Sequence, residues 1–393
     1  MEMLEKKAII SGIGQSQIGR RLGRDGLSLT LDAVRQAVED AGLKLSDIDG
    51  IASWPGQLET PGMSPVSILE VKEALRLELN WYTAGFEATQ MSALINACMA
   101  VATGQARHVV CFRTLTESTA MTEGVRSSVL GQGGVSRVGA LGHWQVPFGG
   151  FSAANWVGLI ASRYFREFGT RREQMAQIAI TARRNAMGNP NGIYRTPLTL
   201  DDYMNSRMIS TPLCLYDCDV PIDGSVAYII SHKDTAADLK SPPISIEAVC
   251  GPLHDRNTWD QQVDLTRFAA EAAGKRLWSR TDLKPKDVDL ANLYDGFTFL
   301  TMLWLEALGF CGRGEAGAFI EGGQRIALDG ELPLATGGGQ LSSGRTHGAS
   351  YICETVTQLR GLGGDRQVPG DPRVGIVSNG GGPIAGALLL VRH

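Results

Sequence analysis

The chain has 393 residues, which is too many for one ordinary hydrophobic core and predicts two domains or one large two-part fold. Hydrophobic residues make up 43% and charged residues 20%, the profile of a folded enzyme rather than a disordered chain. The net charge of −4, with no basic run, argues against a nucleic-acid partner. No apolar stretch approaches the roughly 20 residues that span a bilayer.

The seven cysteines are scattered, and the close pair Cys214 and Cys218 has no second pair at metal-ligand spacing. We therefore expect no metal and no other cofactor in this chain. The charged start, residues 1–7, does not resemble a signal peptide. Free cysteines are typical of a reducing compartment, so we expect the protein in the cytoplasm.

The first half opens with a strand pattern at residues 8–13, followed by a Gly-rich loop. A helix pattern begins at about Ser28 and is ended by Gly42. Residues 43–49 then lead into a second apolar strand. A buried helix pattern at 91–103 precedes the strand at 108–112.

A different region follows at about 119–208. It contains a Gly-rich stretch, 131–150, and two helix patterns at 153–168 and 173–187. Long insertions in compact domains tend to be functional, so we interpret this region as a loop insertion that covers a site.

The second half repeats the order of the first. Residues 283–289 align without a gap with 43–49, and a helix pattern again precedes them. A helix pattern at 349–359 and a strand at 374–377 correspond to the second part of the first half. This internal repeat predicts a duplicated α/β unit, with an N-terminal half at 1–240 and a C-terminal half at 241–393.

Two glycine runs do not complete nucleotide-binding motifs. Gly12 and Gly14 lack the third glycine of a dinucleotide fingerprint at the required spacing. The run Gly337 to Gly339 has no following Lys-Ser/Thr, so a phosphate-binding P-loop is not predicted either.

Several short motifs occur together along nearly the whole chain. They are residues 9–14, 41–43 with 47–49, 212–224, 185–190 and 380–382. With them the sequence resembles the thiolase superfamily, close to the sterol-carrier-protein-type thiolases. The resemblance implies an α/β thiolase fold, in which two duplicated βαβαβαββ-type halves form a five-layer αβαβα arrangement, usually as a homodimer.

The nucleophile of that family is missing here. Its position falls on Glu87, and a carboxylate cannot replace the thiolate that attacks a thioester carbonyl. Cys98 lies further along the same helix pattern, and we interpret it as a core residue. The second family cysteine is replaced near Ser378. Catalysis through an acyl-cysteine is therefore not expected.

Two further blocks of the family are altered and supply the catalytic candidates. Tyr294 stands where the family has an active-site Asn, so its phenol is expected to face the reacting carbons. Arg345 replaces the catalytic His and would supply the positive charge that a phenol needs to act as a base. Tyr351 and His347, four residues apart, are the candidates for the second proton carrier. Asp295 is expected to orient loops or bind substrate through hydrogen bonds.

The remaining feature of the fold is a turn of three glycines, Gly380, Gly381 and Gly382. Backbone N–H groups in such a turn can bind a thioester oxygen, each worth roughly 3 kcal/mol to a developing oxyanion. An enolate of a CoA thioester requires this stabilisation. The sequence therefore favours retro-aldol cleavage of a β-hydroxyacyl-CoA without a covalent intermediate.

The altered blocks resemble the bacterial steroid side-chain aldolases within the superfamily. That resemblance implies cleavage of a 17-hydroxy steroid acyl-CoA to a 17-ketosteroid and propionyl-CoA. It also implies a small OB-fold/zinc-ribbon partner subunit, which would hold any zinc. Two other hypotheses remain open: a non-catalytic scaffold that binds acyl-CoA or sterol, and an acyltransferase that uses another cysteine, such as Cys111 or Cys353.

Overall fold

The computed structural model describes residues 3–56, 61–85, 89–125, 144–254, 256 and 258–393. The strands in these ranges are β1 (Ala8–Gln15), β2 (Gly50–Ser53), β3 (Trp81–Ala84), β4 (His108–Thr116), β5 (Met208–Ser210), β6 (Leu213–Cys214), β7 (Asp223–His232), β8 (Ile244–Cys250), β9 (Leu290–Asn292), β10 (Val374–Gly380) and β11 (Ala385–Val391). The helices are α1 (Gly26–Ala41), α2 (Ile68–Leu75), α3 (Ser92–Ala102), α4 (Glu117–Thr122), α5 (Ala153–Phe168), α6 (Arg172–Met187), α7 (Leu200–Met204), α8 (Ala269–Trp278), α9 (Thr298–Ala307), α10 (Ala316–Ile320), α11 (Gly339–Ser343) and α12 (Ala349–Leu359).

A nine-stranded mixed sheet runs in the order β3-β2-β4-β7-β1-β8-β11-β10-β9. The joint between β1 and β8 consists of two residue pairs, Ile9 with Ser245 and Ile10 with Ile244. From this joint outwards, β7, β4 and β2 on one side correspond to β11, β10 and β9 on the other. In both halves the outer pair is parallel and the inner pairs are antiparallel. The sheet therefore contains the duplication that the sequence predicts.

The repeat extends to individual hydrogen bonds. A 3₁₀ turn precedes β2 at Leu45–Asp47 and another precedes β9 at Pro285–Asp287. In each turn the aspartate carboxylate accepts a hydrogen bond at 2.8 Å from the N–H of the lysine before the turn. Two residues later, Asp49 accepts from the first N–H of β4 at 2.9 Å, and Asp289 accepts from the first N–H of β10 at 2.8 Å.

Two hydrophobic cores separate the layers. Helices α1 and α2 cover the outer face of the first half-sheet. In this core Val34 of α1 clusters with Ile51 of β2 and Ile229 of β7. Helix α12 contacts β7 and β1 of the first half as well as β10 and β9 of the second, so it lies between the half-sheets. Helix α8 contacts β8, β11 and α9 on the far side. The order of layers is αβαβα, as expected for a thiolase fold.

The insertion connects β4 to β7 and contains the two predicted helices as α5 and α6. Its Asn185 side chain donates to the Leu334 carbonyl at 2.9 Å, and that of Asn189 donates to the Gly337 carbonyl at 2.7 Å. The insertion thereby fixes a loop of the second half. Most of the predicted Gly-rich stretch, 131–150, lies outside the described residues. The boundary at residue 240 falls between β7 and β8 and stays a prediction.

Candidate active site

Tyr294 lies in the loop between β9 and α9, where it is buried with 7% of its surface exposed. Its backbone N–H donates to the hydroxyl of Ser378 at 3.0 Å. Its ring lies against Gly296, where an added Cβ would come within 2.7 Å of the ring. The glycine of this block therefore allows the tyrosine ring to turn back into the interior.

A short segment before β7 joins two loops and helix α11 at this site. The N–H of Asp219 donates to the Gly296 carbonyl at 3.2 Å, and that of Val220 donates to the Gln340 carbonyl at 3.0 Å. The N–H of Arg345 donates back to the Val220 carbonyl at 2.8 Å. All three hydrogen bonds are made by the backbone. The segment therefore fixes the relative positions of these parts of the chain independently of their side chains.

The charged groups around Tyr294 form a buried network. The Arg345 guanidinium pairs with Asp219 at 3.2 Å and with the fully buried Glu117 at 3.0 Å. Burial lowers the pKa of Arg345, but the two carboxylates raise it above its ordinary value. Burial and Asp219 raise the pKa of Tyr294 to about 12, although Gln90 and Arg345 act in the opposite direction. The phenol is therefore protonated at neutral pH.

Arg113 holds His347 in one orientation. The Nη2 of Arg113 lies 3.0 Å from Nδ1 of His347, and the guanidinium lies over the Trp54 ring at 5.4 Å. Because a guanidinium only donates, Nδ1 of His347 is the acceptor and the ring proton is on Nε2. Burial lowers the pKa of Arg113 to about 9, against the opposing effect of Glu117. This contact identifies Nε2 as the nitrogen with which His347 donates.

Tyr351 and Asp295 form a buried pair. The Tyr351 hydroxyl donates to Oδ1 of Asp295, and the N–H of Gln340 donates to the same carboxylate oxygen at 2.9 Å. Burial raises the pKa of Asp295 to about 7, while the N–H groups of Gln340 and Leu341 act to lower it. This carboxyl group can therefore change its protonation state near neutral pH.

The glycine turn is occupied by protein acceptors. The N–H of Gly380 donates to Oε1 of Gln90 at 3.1 Å, and the N–H of Gly381 donates to the Ile384 carbonyl at 2.9 Å. The first acceptor is a side chain, which a substrate oxygen can displace, whereas the second belongs to the hairpin itself. The role of Gly380, Gly381 and Gly382 as oxyanion donors stays a prediction, with Gly380 as the best placed.

Three buried polar atoms of this region have no hydrogen-bond partner within the described ranges: Nε of Arg113, Oδ2 of Asp295 and Nε2 of Gln340. The Gln340 side chain also lies near enough to Tyr294 to lower the pKa of its phenol. Unsatisfied groups in an interior are costly unless water or a ligand completes them. Arg113 and Gln340 both interact with the Tyr294 phenol, and Asp295 follows it in the chain, so the three atoms lie in the same region as Tyr294.

None of the cysteines, all of which lie in described residues, is prepared for nucleophilic attack. Burial raises the pKa of every one of them. For Cys353 the pKa rises to about 12, and Cys111 is fully buried. Cys98 is also fully buried in α3, and Glu87 lies outside the described residues. Because the thiolate is the reactive form, these thiols are inert at neutral pH.

The structure brings the predicted residues together in one region. It also adds five residues that the sequence analysis missed: Gln90, Arg113, Glu117, Asp219 and Gln340. Only Gln90 had a local signal, because it follows the Glu87 position by three residues. In the described part of the chain, no group of three or more His, Cys, Asp or Glu side chains suits a metal ion, and no helix has the length and hydropathy to cross a membrane.

The layers, the duplicated sheet and the altered site define a thiolase-fold protein that lacks the reactive cysteine. Comparisons with known proteins agree. Residues 251–392 match the family model described as Thiolase C-terminal domain-like. The chain is 35% identical to a steroid side-chain-cleaving aldolase of Thermomonospora curvata, over 99% of both chains. It is 34% identical to the 17-hydroxy-3-oxo-4-pregnene-20-carboxyl-CoA lyase of Mycobacterium tuberculosis, over 98% of this chain and 100% of the relative.

A solved structure, the Ltp2-ChsH2(DUF35) aldolase, superposes with a TM-score of 0.88 and 33% identity, covering 99% of this chain and 98% of that one. The chain belongs to the thiolase superfamily, in the group that contains the steroid side-chain-cleaving aldolases.

Proposed function

We propose that this chain is an aldolase that cleaves a carbon–carbon bond of a β-hydroxyacyl-CoA thioester by a retro-aldol reaction. The proposed substrate is a 17-hydroxy steroid with a CoA-linked side chain, and the products are a 17-ketosteroid and propionyl-CoA. The end-to-end identity of 35% with a steroid side-chain-cleaving aldolase carries this proposal. The buried, inert cysteines support it, because the reaction needs no acyl-enzyme.

In the proposed reaction, a base takes the proton of the β-hydroxyl group, the bond between the carbinol carbon and the α-carbon opens, and its electron pair forms the thioester enolate. Tyr294 is the proposed acid that protonates the α-carbon of this enolate. Its raised pKa, about 12, keeps the phenol protonated at neutral pH, so the proton is available when the enolate forms. Arg345 then stabilises the phenolate, because its positive charge lowers the pKa of Tyr294.

The thioester oxygen is proposed to accept a hydrogen bond from the N–H of Gly380 in place of Oε1 of Gln90. His347, held by Arg113, is proposed as a second donor from Nε2. Such donors stabilise the enolate oxygen more than the uncharged thioester, which lowers the barrier for bond cleavage.

A partner subunit is part of the proposal. The related aldolase structure is named for two components, Ltp2 and ChsH2(DUF35). We propose a small OB-fold/zinc-ribbon subunit for this chain as well, with zinc only in that subunit, around a homodimeric core in the cytoplasm. Co-expression of the chain with the candidate partner, followed by size-exclusion chromatography with light scattering, tests this assembly.

The test of function is to incubate the chain and its partner with a 17-hydroxy steroid carboxyl-CoA and to measure the 17-ketosteroid and propionyl-CoA. Tyr294→Phe should lower kcat by about 100-fold or more, as expected for loss of a general acid, with little change in thermal stability. Tyr228→Phe is the matched control, since Tyr228 is equally buried but lies in β7. Absence of ketone from every β-hydroxyacyl-CoA offered would contradict the aldolase proposal and favour the binding scaffold.

A further inference from the structure

A cleft lies beside Tyr351 and is lined in part by polar groups. Its volume is about 240 Å³, and its walls include Gln15, Asn189, Ser350 and Glu354. Gln36 and Pro190 line it too and are exposed, so the cleft reaches the surface. A water molecule takes roughly 30 Å³ in the liquid, so the cleft has room for several waters with polar partners.

Tyr351 and Gly339 are among the residues that line this cleft. Tyr351 has 3% of its surface exposed. Gly339 adopts a positive φ of 59°, and a Cβ at this position would overlap Oδ2 of Asp295. The backbone of the Gly337 to Gly339 run, which completes no phosphate-binding motif, thus lines the cleft directly beside the Asp295 carboxylate.

Gln340 links this pair to the reaction site. Its N–H lies 3.2 Å from the Tyr351 hydroxyl and 2.9 Å from Oδ1 of Asp295. Its side chain lies close to the Tyr294 phenol. Gln340 therefore contacts the Tyr351 hydroxyl with its backbone and approaches the Tyr294 hydroxyl with its side chain.

We propose that Tyr351 and Asp295 form a proton relay that takes the hydroxyl proton of the substrate out to the cleft. The inference rests on the proposed retro-aldol function and assigns its base. Tyr351 accepts the substrate proton while its own proton passes to Oδ1 of Asp295, and the carboxyl group then releases that proton to water in the cleft. The enolate takes a proton from Tyr294, whose phenolate recovers one from solvent, so no net proton is consumed.

The surroundings of Asp295 suit this role. Tyr351 faces it from α12, the N–H groups of Gln340 and Leu341 face it from α11, and Asp219 acts on it from the segment before β7. Burial and Asp219 raise the pKa of Asp295, to about 7, and the two N–H groups oppose this shift. The relay needs the carboxylate form, so cleavage should become faster as the pH rises through this value.

Two reactions distinguish the role of the Tyr351–Asp295 relay from the role of Tyr294 as the acid. The first is ketone release from the hydroxyacyl-CoA, measured as kcat/KM between pH 5 and 9. The second is exchange of the α-protons of propionyl-CoA in D₂O, measured by NMR, which requires Tyr294 and the oxyanion site but no base for a hydroxyl group. Both are run on the full chain, alone and with its partner subunit.

We expect Tyr351→Phe and Asp295→Asn to lose about 100-fold or more in ketone release, as for a general base, while α-proton exchange stays near the wild-type rate. The acidic limb of the wild-type pH profile should disappear in Asp295→Asn. Tyr294→Phe should lose both reactions. Tyr203→Phe is the control, because Tyr203 and Asp217 form another buried Tyr–Asp pair, at 2.6 Å, and both reactions should be retained.

Ketone release by Tyr351→Phe and Asp295→Asn at the wild-type rate would overturn the relay while leaving the aldolase function intact. So would equal losses of cleavage and exchange in these variants, since a disturbed site explains that pattern. If Tyr351→Phe does not fold, Asp295→Asn carries the same test, because it keeps the shape of the side chain. Failure of the wild type to release ketone would instead contradict the proposed function.

Discussion

The Gln90 side chain donates a hydrogen bond from Nε2 to the Tyr294 hydroxyl at 3.4 Å. Its other end, Oε1, accepts from the N–H of Gly380 at 3.1 Å. The N–H of Gly380 requires an acceptor, so it fixes Oε1 of the Gln90 amide at the glycine turn. The Nε2 end of the amide therefore faces the Tyr294 phenol. Gln90 therefore couples the candidate oxyanion donor to the candidate acid.

Substitutions at Gln90 distinguish its two contacts. Gln90→Glu keeps the acceptor for Gly380 but places a negative charge beside Tyr294, which disfavours the phenolate left after proton transfer. We expect kcat to fall by about 10-fold or more in Gln90→Glu and in Gln90→Leu. Steady-state kinetics with the hydroxyacyl-CoA check this. A Gln90→Glu enzyme with wild-type kcat would show that Gln90 acts through Gly380 alone.

The fold and the backbone framework of the site could be predicted from the sequence because both follow from local patterns. The turns before β2 and β9 use the same residue types at the same spacing, and they form the same hydrogen bonds. Tyr294 was predicted as a site residue from a short block, residues 294–297, that resembles a family motif. Such features depend on residues within a few positions of one another.

The other parts of the site arise from contacts between distant segments. Gln90 and Tyr294 are 204 positions apart, and Arg345 and Glu117 are 228 apart. The sequence analysis placed Arg345 beside Tyr294 as a source of positive charge, but not the two carboxylates that hold it. It also expected the N–H groups of the glycine turn to bind a thioester oxygen, whereas those of Gly380 and Gly381 donate to protein acceptors. A single sequence gives no pattern for pairings of this kind.

Removal of Arg345 should affect stability and activity separately. Arg345→Gln removes the guanidinium that pairs with the buried Glu117 and with Asp219, which should cost about 3 kcal/mol of unfolding free energy. The double variant Arg345→Met with Glu117→Gln removes the charges of Arg345 and Glu117 and should recover part of that loss, because Asp219 keeps its charge.

Activity should not recover in the double variant, because the positive charge that lowers the pKa of Tyr294 is still missing. Urea unfolding and kcat measurements on both variants test this. Recovery of activity together with stability would show that Arg345 serves only to pair Glu117.

Asp295 should make the protein less stable at higher pH. Its carboxyl pKa, about 7, lies above the ordinary value of 3.8, so the folded state holds the proton more tightly than the unfolded chain. Its presence therefore costs stability as the pH rises from about 4 to 7, and the cost is complete above pH 7. Asp295→Asn should raise the unfolding free energy by about 2 to 4 kcal/mol at pH 8 and by less at pH 5.

Thermal and urea unfolding at the two pH values measure this effect, with the exposed Asp329→Asn as a control that should show no gain at either pH. A variant with lower stability than the wild type at pH 8 would mean that the carboxylate is stabilised by its surroundings and does not carry the raised pKa.

The duplicated aspartates should contribute to stability independently. Asp49 and Asp289 each accept hydrogen bonds from two consecutive backbone N–H groups, of Arg107 and His108 in the first half and of Arg373 and Val374 in the second. Hydrogen bonds to a charged group contribute about 1.5 to 3 kcal/mol, and we expect the lower part of this range or less at the exposed Asp289 and more at the half-buried Asp49. We expect Asp49→Ala to cost about 2 kcal/mol and Asp289→Ala about 1 kcal/mol.

Asp49→Asn and Asp289→Asn keep an acceptor oxygen and should cost less than the alanine variants. Because the two sites lie in opposite halves and share no partner, the double alanine variant should show the sum of the single effects. Urea unfolding of the four single variants and the double variant tests this. A double-variant loss well above that sum would mean that the two turns stabilise each other across the sheet, and that the halves do not act as separate units in folding.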